Sequence, residues 1–306
     1  MKAIRDFYEK KYKLLLIIPI LLLLLSIGQI LYQYNTTGDF VNRGISLKGG
    51  STITIYLENQ NEVELSDHLQ SSFPQSEINV RTLTKAGANK GLIVDSDAQS
   101  TEEITGLLQA IKQKIPMQQN DYSTDITGSA LGNSFFKETT KSLLYAFILM
   151  ALVVFVYFRT PIPSAAVVAA AVSDIIITLA IFNLTGIKLS TAGVAAFLML
   201  VGYSVDTDIL LTTRVIKRSK GTPFERVLGA MKTGLTMTFT TLTVVITVFF
   251  LTQSEVIKQI MLIVFIGLLV DIIATWIQNV AILRWYVERK TKWIKQKESY
   301  SIGESS

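Results

Sequence analysis

The sequence contains no cysteine and a single histidine, His68. The first absence excludes a disulfide framework, a thiolate metal site and a cysteine nucleophile. The second excludes a metal site built from several histidines. Charge is also scarce. Charged residues make up 17% of the 306, below the roughly 25% of soluble domains. No G-x-x-x-x-G-K-[ST] phosphate loop is present, so nothing points to an ATP motor, and no positioned base–nucleophile pair points to a hydrolase or transferase. No cofactor is expected.

What is present is apolar, and it comes in runs. A membrane span needs about 20 mostly apolar residues. Six stretches qualify: Leu14–Tyr34, Ser142–Phe158, Ser164–Leu184, Leu189–Leu211, Leu235–Leu251 and Ile260–Leu283. The first also offers a small-x-small cleavage site, Ser26-Ile27-Gly28. Its apolar run continues through Ile30, Leu31 and Tyr32, so it is read as an uncleaved anchor. The expected division is a cytoplasmic N-terminus over 1–13, a first span over 14–34, an external domain over 35–138, five further spans over 139–284 and a basic tail over 285–306.

Charge orients the chain. Lys2, Arg5, Lys10, Lys11 and Lys13 precede the first span, and Arg159 follows the second. Arg214, Lys217, Arg218, Lys220 and Arg226 lie between the fourth and fifth. The tail carries Arg284, Arg289, Lys290, Lys292, Lys295 and Lys297. The opposite short loops hold only Lys188 and Lys258. The positive-inside rule therefore places both termini in the cytoplasm of a multi-pass protein. This bias accounts for the basic excess, so no nucleic-acid partner is inferred.

Residues 39–138 have the opposite character, with 8 basic and 13 acidic side chains. Their pattern is strand, helix, strand, strand, helix, strand. The first strand is expected within Ile45–Leu57, where the alternation Ile53, Ile55, Leu57 follows Gly49-Gly50. A short helix covers Val63–Phe73, and strands Ile78–Leu83 and Gly91–Val94 flank a turn at Ala86-Gly87-Ala88-Asn89. Ile104, Leu107, Leu108, Ile111 and Ile115 mark one face of a helix that Ser100 or Thr101 can cap. A last strand runs Asp121–Ile126. The order predicts a ferredoxin-like α+β domain between the first and second spans.

The chemistry-bearing residues are acids inside the spans: Asp174 in the third, Asp206 and Asp208 in the fourth, Asp271 in the sixth. An ionised Asp near the bilayer centre costs at least about 2.5–3.5 kcal/mol. No Lys or Arg lies deep in a span. Each acid must be neutral, face water or meet a partner, and a carboxyl that moves between such states is what a proton relay requires. Asp206 and Asp208 lie about 200° apart around a helix and cannot share a face. Asp206 and Arg214 do share one, but about 12 Å apart along the axis. Asp271, Thr275 and Gln278 line one face of the sixth span. Thr236, Thr240, Thr243 and Thr247 line one face of the fifth and are read mainly as packing. Gly202, Ala165, Ala169, Ser173, Ala192 and Ala196 are read as close-packing positions.

Several motifs together resemble the SecD/SecF family of protein-export membrane proteins. Gly44-Ile-Ser-Leu-Lys-Gly49-Gly50 looks like the glycine motif opening the family's external domain, and Ile126-Thr-Gly128-Ser-Ala-Leu-Gly132 like the one before its second span. Ser173-Asp174-Ile-Ile-Ile-Thr178 is similar to His-Asp-x-x-Ile-Thr, with serine for histidine. Val201-Gly202-Tyr203-Ser204-Val-Asp206-Thr-Asp208, followed by Arg214, is similar to the fourth-span Gly-Tyr-Ser motif. Bacterial members place their acid where Thr207 stands here, and carry a fifth-span arginine where Met237 stands; the departures resemble an archaeal branch. The resemblance implies a SecF-like subunit paired with a SecD-like one beside the SecY translocon, in the cytoplasmic membrane. It also implies that proton entry at Asp206 or Asp208, supported by Asp174 and Asp271, moves the external domain against a translocating polypeptide. A proton-driven exporter of small molecules or lipids, and a scaffold with no proton role, stay open as alternatives.

Overall fold

The computed structural model describes residues 8, 11–85, 88–218, 221–252 and 254–303. Ala86 and Gly87 of the expected turn, and Lys2, Arg5, Lys10 and Lys220 of the charge pattern, lie outside them. Among the described residues six helices are long and apolar enough to cross a membrane. The first, α1, is Ile17–Thr37, preceded by a helical turn at Tyr12–Leu15. After the external segment come α4 (Ser129–Phe158), α5 (Pro161–Leu184), α6 (Thr191–Lys217) and α7 (Pro223–Leu251). The sixth span joins α8 (Glu255–Ile273), a π-helical stretch (Ala274–Asn279) and α9 (Val280–Gly303). The chain is a multi-pass membrane protein.

Local chemistry explains the ends. Pro161 and Pro223 occupy first-turn positions, where their missing N–H costs nothing. Thr222 and Glu225 form a capping box on α7, and Ser190 and Ser254 cap α6 and α8. Spans α5, α6 and α8 form the centre of the bundle. Val167, Ala171, Ala196, Leu200, Ile263 and Val264 are buried between them. The apolar faces of α1, α4 and α7 are largely exposed, as lipid-facing or partner-facing surfaces are. Beyond the expected second span, α4 continues toward the sheet domain by more than three turns, since Ser129–Lys141 holds no proline.

Between the first and second spans the described residues form four antiparallel strands: β1 (Gly50–Ile55), β2 (Ile78–Lys85), β3 (Ala88–Ser96) and β4 (Tyr122–Thr127). Their order is β2-β3-β1-β4, the ferredoxin-like arrangement the sequence predicts. Helices α2 (Glu62–Ser72) and α3 (Thr101–Lys114) cover one face. Ile53, Ile55, Leu65, Leu69, Leu92, Val94 and Ile111 form the core beneath them. Ser100 caps α3 in a full capping box with Glu103. Its two backbone amide donors, from Gln99 and Ser100, hold the Glu103 carboxyl below the usual range. The strand expected from Ile45 begins only at Gly50. Ile45–Lys48 makes one helical turn instead, and Gly49 ends it with φ 94° and ψ 159°, a conformation essentially reserved for glycine.

Candidate functional site

Three spans bring three acids to one buried place. Asp174 on α5, Asp208 on α6 and Asp271 on α8 are each 0% exposed. Ser204, one helical turn before Asp208, donates its hydroxyl to Asp174 Oδ2. Asp208 Oδ1 accepts from Asn279 Nδ2 at 2.7 Å and from Thr275 Oγ1 at 3.0 Å. Thr275 Oγ1 also lies 3.0 Å from Asp271 Oδ1, bridging the fourth and sixth spans. The remaining carboxyl oxygens, Asp174 Oδ1, Asp208 Oδ2 and Asp271 Oδ2, are buried with no hydrogen-bond partner among the described residues. Beside them, Gln278 Nε2 donates to Ser173 Oγ at 3.1 Å. Every hydrogen-bond donor to these acids among the described residues is uncharged.

The π-helical stretch explains how the sixth span contributes so much. An α-helix with a 3.6-residue repeat shows one polar face; a wider π turn rotates the following residues relative to it. Thr275, Gln278 and Asn279 all fall in this stretch and all are buried. Asn279 is the contributor that sequence reasoning did not single out. Its signal was an asparagine in an apolar span, about 80° around from Asp271 in a regular α-helix.

The other expected residues separate. Asp206 points outward with Gly202 and Tyr203, as a 200° offset from Asp208 requires. Of the Gly-Tyr-Ser motif, only Ser204 reaches the cluster. Gly202 faces open space, so its expected close packing finds no neighbour among the described residues. Ala165 and Ala169 also face outward, whereas Ser173 and Ala196 are buried. Arg214 donates to the Gly229 carbonyl at 2.6 Å and to Thr233 at 3.0 Å, bridging α6 to α7 rather than meeting an acid. The threonines of α7 donate to carbonyls of their own helix, Thr236 to Lys232 and Thr247 to Thr243. Met237 is 45% exposed on the outer surface.

The glycines mark where the external domain meets the bundle. Cβ atoms on Gly49 and on Gly132 would run into the backbones of Ser129 and of residues 47–49, so the two segments touch backbone to backbone. Gly50 needs its φ of 142° beside the Ser96 carbonyl, and Gly128 caps α4. Next to this contact the domain grips the loop before α6. Leu189 N–H donates to the Asn42 carbonyl at 2.6 Å, and Gly44 N–H returns a bond to the Leu189 carbonyl at 2.8 Å. Thr191 N–H bonds Ser46 Oγ at 3.2 Å. Glu77 bridges Lys188 at 2.6 Å and Lys48 at 2.7 Å. Burial pushes the Glu77 carboxyl up, but the hydrogen bonds and charges of the two lysines outweigh it and hold it below the usual range. The dock thus sits at the N-terminal end of the helix that carries Asp208.

Six spans, a ferredoxin-like insert after the first, and buried acids on three spans describe a polytopic membrane protein with a polar transmembrane centre. Residues 107–289 match the family described as protein export membrane protein SecD/SecF, C-terminal. The chain is 37% identical over 282 residues to the protein-export membrane protein SecF of Pyrococcus furiosus, covering 92% of this chain and 93% of that one. It is 37% identical over 287 residues to SecF of Methanocaldococcus jannaschii, covering 91% and 96%. The chain belongs to the SecD/SecF family of protein-export membrane proteins. Its fold is also similar to the crystal structure of SecDF, a translocon-associated membrane protein from Thermus, with a TM-score of 0.70 at 20% identity. That likeness covers 90% of this chain and 38% of the SecDF chain.

Proposed function

We propose that this chain is a SecF-like subunit of the cytoplasmic membrane, with both termini in the cytoplasm. It pairs with a SecD-like subunit beside the SecY translocon, and assists export of the translocating polypeptide. The observation that carries the mechanism is the convergence of Asp174, Asp208 and Asp271 in one buried cluster on a helix whose outer end holds the external domain. Three carboxyls without a cation among their described partners cannot all be ionised there. Their proton count is therefore a state variable. Adding or removing a proton changes which of Ser204, Thr275 and Asn279 can stay bonded, and so biases the packing of α5, α6 and α8. Movement of α6 reaches the external domain through Leu189 and Thr191.

The test is preprotein translocation into inverted vesicles, with and without an imposed proton gradient. Asp208→Asn is expected to lose the gradient-dependent part. Asp206→Asn, on the outer face, is expected to keep most of it. Full gradient response in an Asp174→Asn/Asp208→Asn double variant would sink the coupling. One observation favours a second reading, a scaffold without proton transfer: Met237 stands where bacterial members carry arginine, and it faces away from the acids. That reading predicts that the chain is needed for export while all the Asn variants remain active.

A further inference from the structure

A second polar feature lies at the opposite end of the bundle from the dock. The C-terminal end of α6 and the start of α7 enclose a cavity of about 670 Å³, lined by Arg214, Lys217, Arg218, Gly221, Glu225, Arg226 and Gly229. Four cations face one acid. That acid is engaged, since Glu225 Oε2 accepts the Thr222 N–H at 2.9 Å in the capping box. Three of the four cations are held in place by neutral groups; the Arg218 side chain has no partner among the described residues. Arg214 donates to the Gly229 carbonyl and Thr233; Arg226 donates to the Val215 carbonyl at 2.6 Å and to the Arg218 carbonyl. Lys217 Nζ sits 3.5 Å from the Tyr157 ring centroid and 5.6 Å from that of Phe158. Among the described residues none of the four is ion-paired. Carbonyls, a hydroxyl and rings orient Arg214, Lys217 and Arg226 without neutralising them, which leaves a positive cavity whose single acid is engaged in the capping box.

Its depth selects the anion. Tyr157 and Phe158 end α4, and α6 and α7 enter their apolar stretches one turn away from the cavity. Aromatic rings at helix ends sit at the level of lipid headgroups, where basic pockets between spans meet phosphate. We infer that this cavity binds the phosphate group of an anionic phospholipid, with Lys217 and Arg218 as the ligands supplied from α6. Arg214 and Arg226 line the same space and hold the α6–α7 turn that shapes it.

The test uses the full chain purified in an uncharged detergent. Retained lipid is read by native mass spectrometry, and thermal unfolding is followed alongside. The probes are phosphatidylglycerol, phosphatidylcholine and inorganic phosphate. Phosphatidylglycerol is expected to be retained and to raise the unfolding temperature; phosphatidylcholine is not. In Lys217→Gln/Arg218→Gln, retention is expected to fall at least about tenfold, because each cation beside an anionic headgroup strengthens its binding. Lys217→Gln also removes the contact with the Tyr157 ring, so the unfolding temperature without lipid is expected to drop slightly, and the rise caused by phosphatidylglycerol is compared within each variant. Lys217→Arg, which keeps the charge, should retain lipid. Equal retention of the two lipids, or undiminished phosphatidylglycerol retention by the double variant, would overturn the inference. Stabilisation by inorganic phosphate with no effect of phosphatidylglycerol would overturn the lipid assignment in favour of a soluble anion. Should the double variant fail to fold, Arg218→Gln alone decides, since that side chain has no described partner to lose.

Discussion

Replacing Gly49 by alanine should damage the joint between the external domain and the bundle, and the cost can be worked from its surroundings. With φ 94° and ψ 159°, Gly49 lies in a region essentially closed to residues with a Cβ, a strain of about 1–3 kcal/mol. The added methyl would also lie 2.6 Å from the Ser129 nitrogen and 3.0 Å from its Cβ, so the start of α4 must give way. Overpacking of this kind costs about another 1–3 kcal/mol. The expected loss is therefore about 2–6 kcal/mol. At about 4–8 °C per kcal/mol for a domain of this size, the external domain should melt at least about 8 °C earlier. Gly106→Ala is the internal control. Gly106 lies within α3 and has nothing within 4 Å of an added Cβ, so alanine should stabilise by about 0.4–1 kcal/mol through helix propensity and unfolded-state entropy. The assay is thermal unfolding in detergent, with hydrogen exchange to localise the transition. Shifts of the same sign and size in the two variants would refute the reasoning, since the residue change is identical and only the environment differs.

Four further outcomes are expected. Ile111→Ala, at a position 0% exposed in the domain core, should cost about 2–5 kcal/mol in chemical unfolding while leaving the transmembrane acids untouched. Asn279→Leu removes the 2.7 Å donor to Asp208 and should lower thermal stability by about 1–3 kcal/mol; an unchanged melting temperature would show that Asp208 does not depend on that bond. The Glu77 carboxyl is held below its usual range, so its bridge to Lys48 and Lys188 is fully present above the ordinary glutamate range and is lost as pH falls through the lowered value. Protease sensitivity of residues 42–49 should therefore rise on acidification, with the step missing in Glu77→Gln. Because the chain has no cysteine, Ser46→Cys with Thr191→Cys gives a clean cross-link across the dock. Oxidation should slow gradient-driven translocation and reductant should restore it, whereas equal rates would show that the dock need not open.

Much of this protein was legible without coordinates, because its main signals are periodic. Apolar runs set by bilayer thickness marked the six spans, and alternation with capping residues marked the ferredoxin-like insert. Helical geometry alone separated Asp206 from Asp208, since a 200° offset holds in any fold. What it could not do was choose between them: either face of α6 could have turned inward. Packing of α6 against α5 and α8 made that choice, burying Asp208 and leaving Asp206 outside. The π-helical stretch was equally hidden, because a local widening depends on what the turn packs against and bonds to, not on its own residues. Without it Asn279 was one polar residue in an apolar run. The dock at Leu189 and Gly49, and the cavity between Arg214 and Arg226, join segments by contacts that no period encodes. Sequence determined which residues could not rest in lipid unaided; only the tertiary structure decided which of them meet.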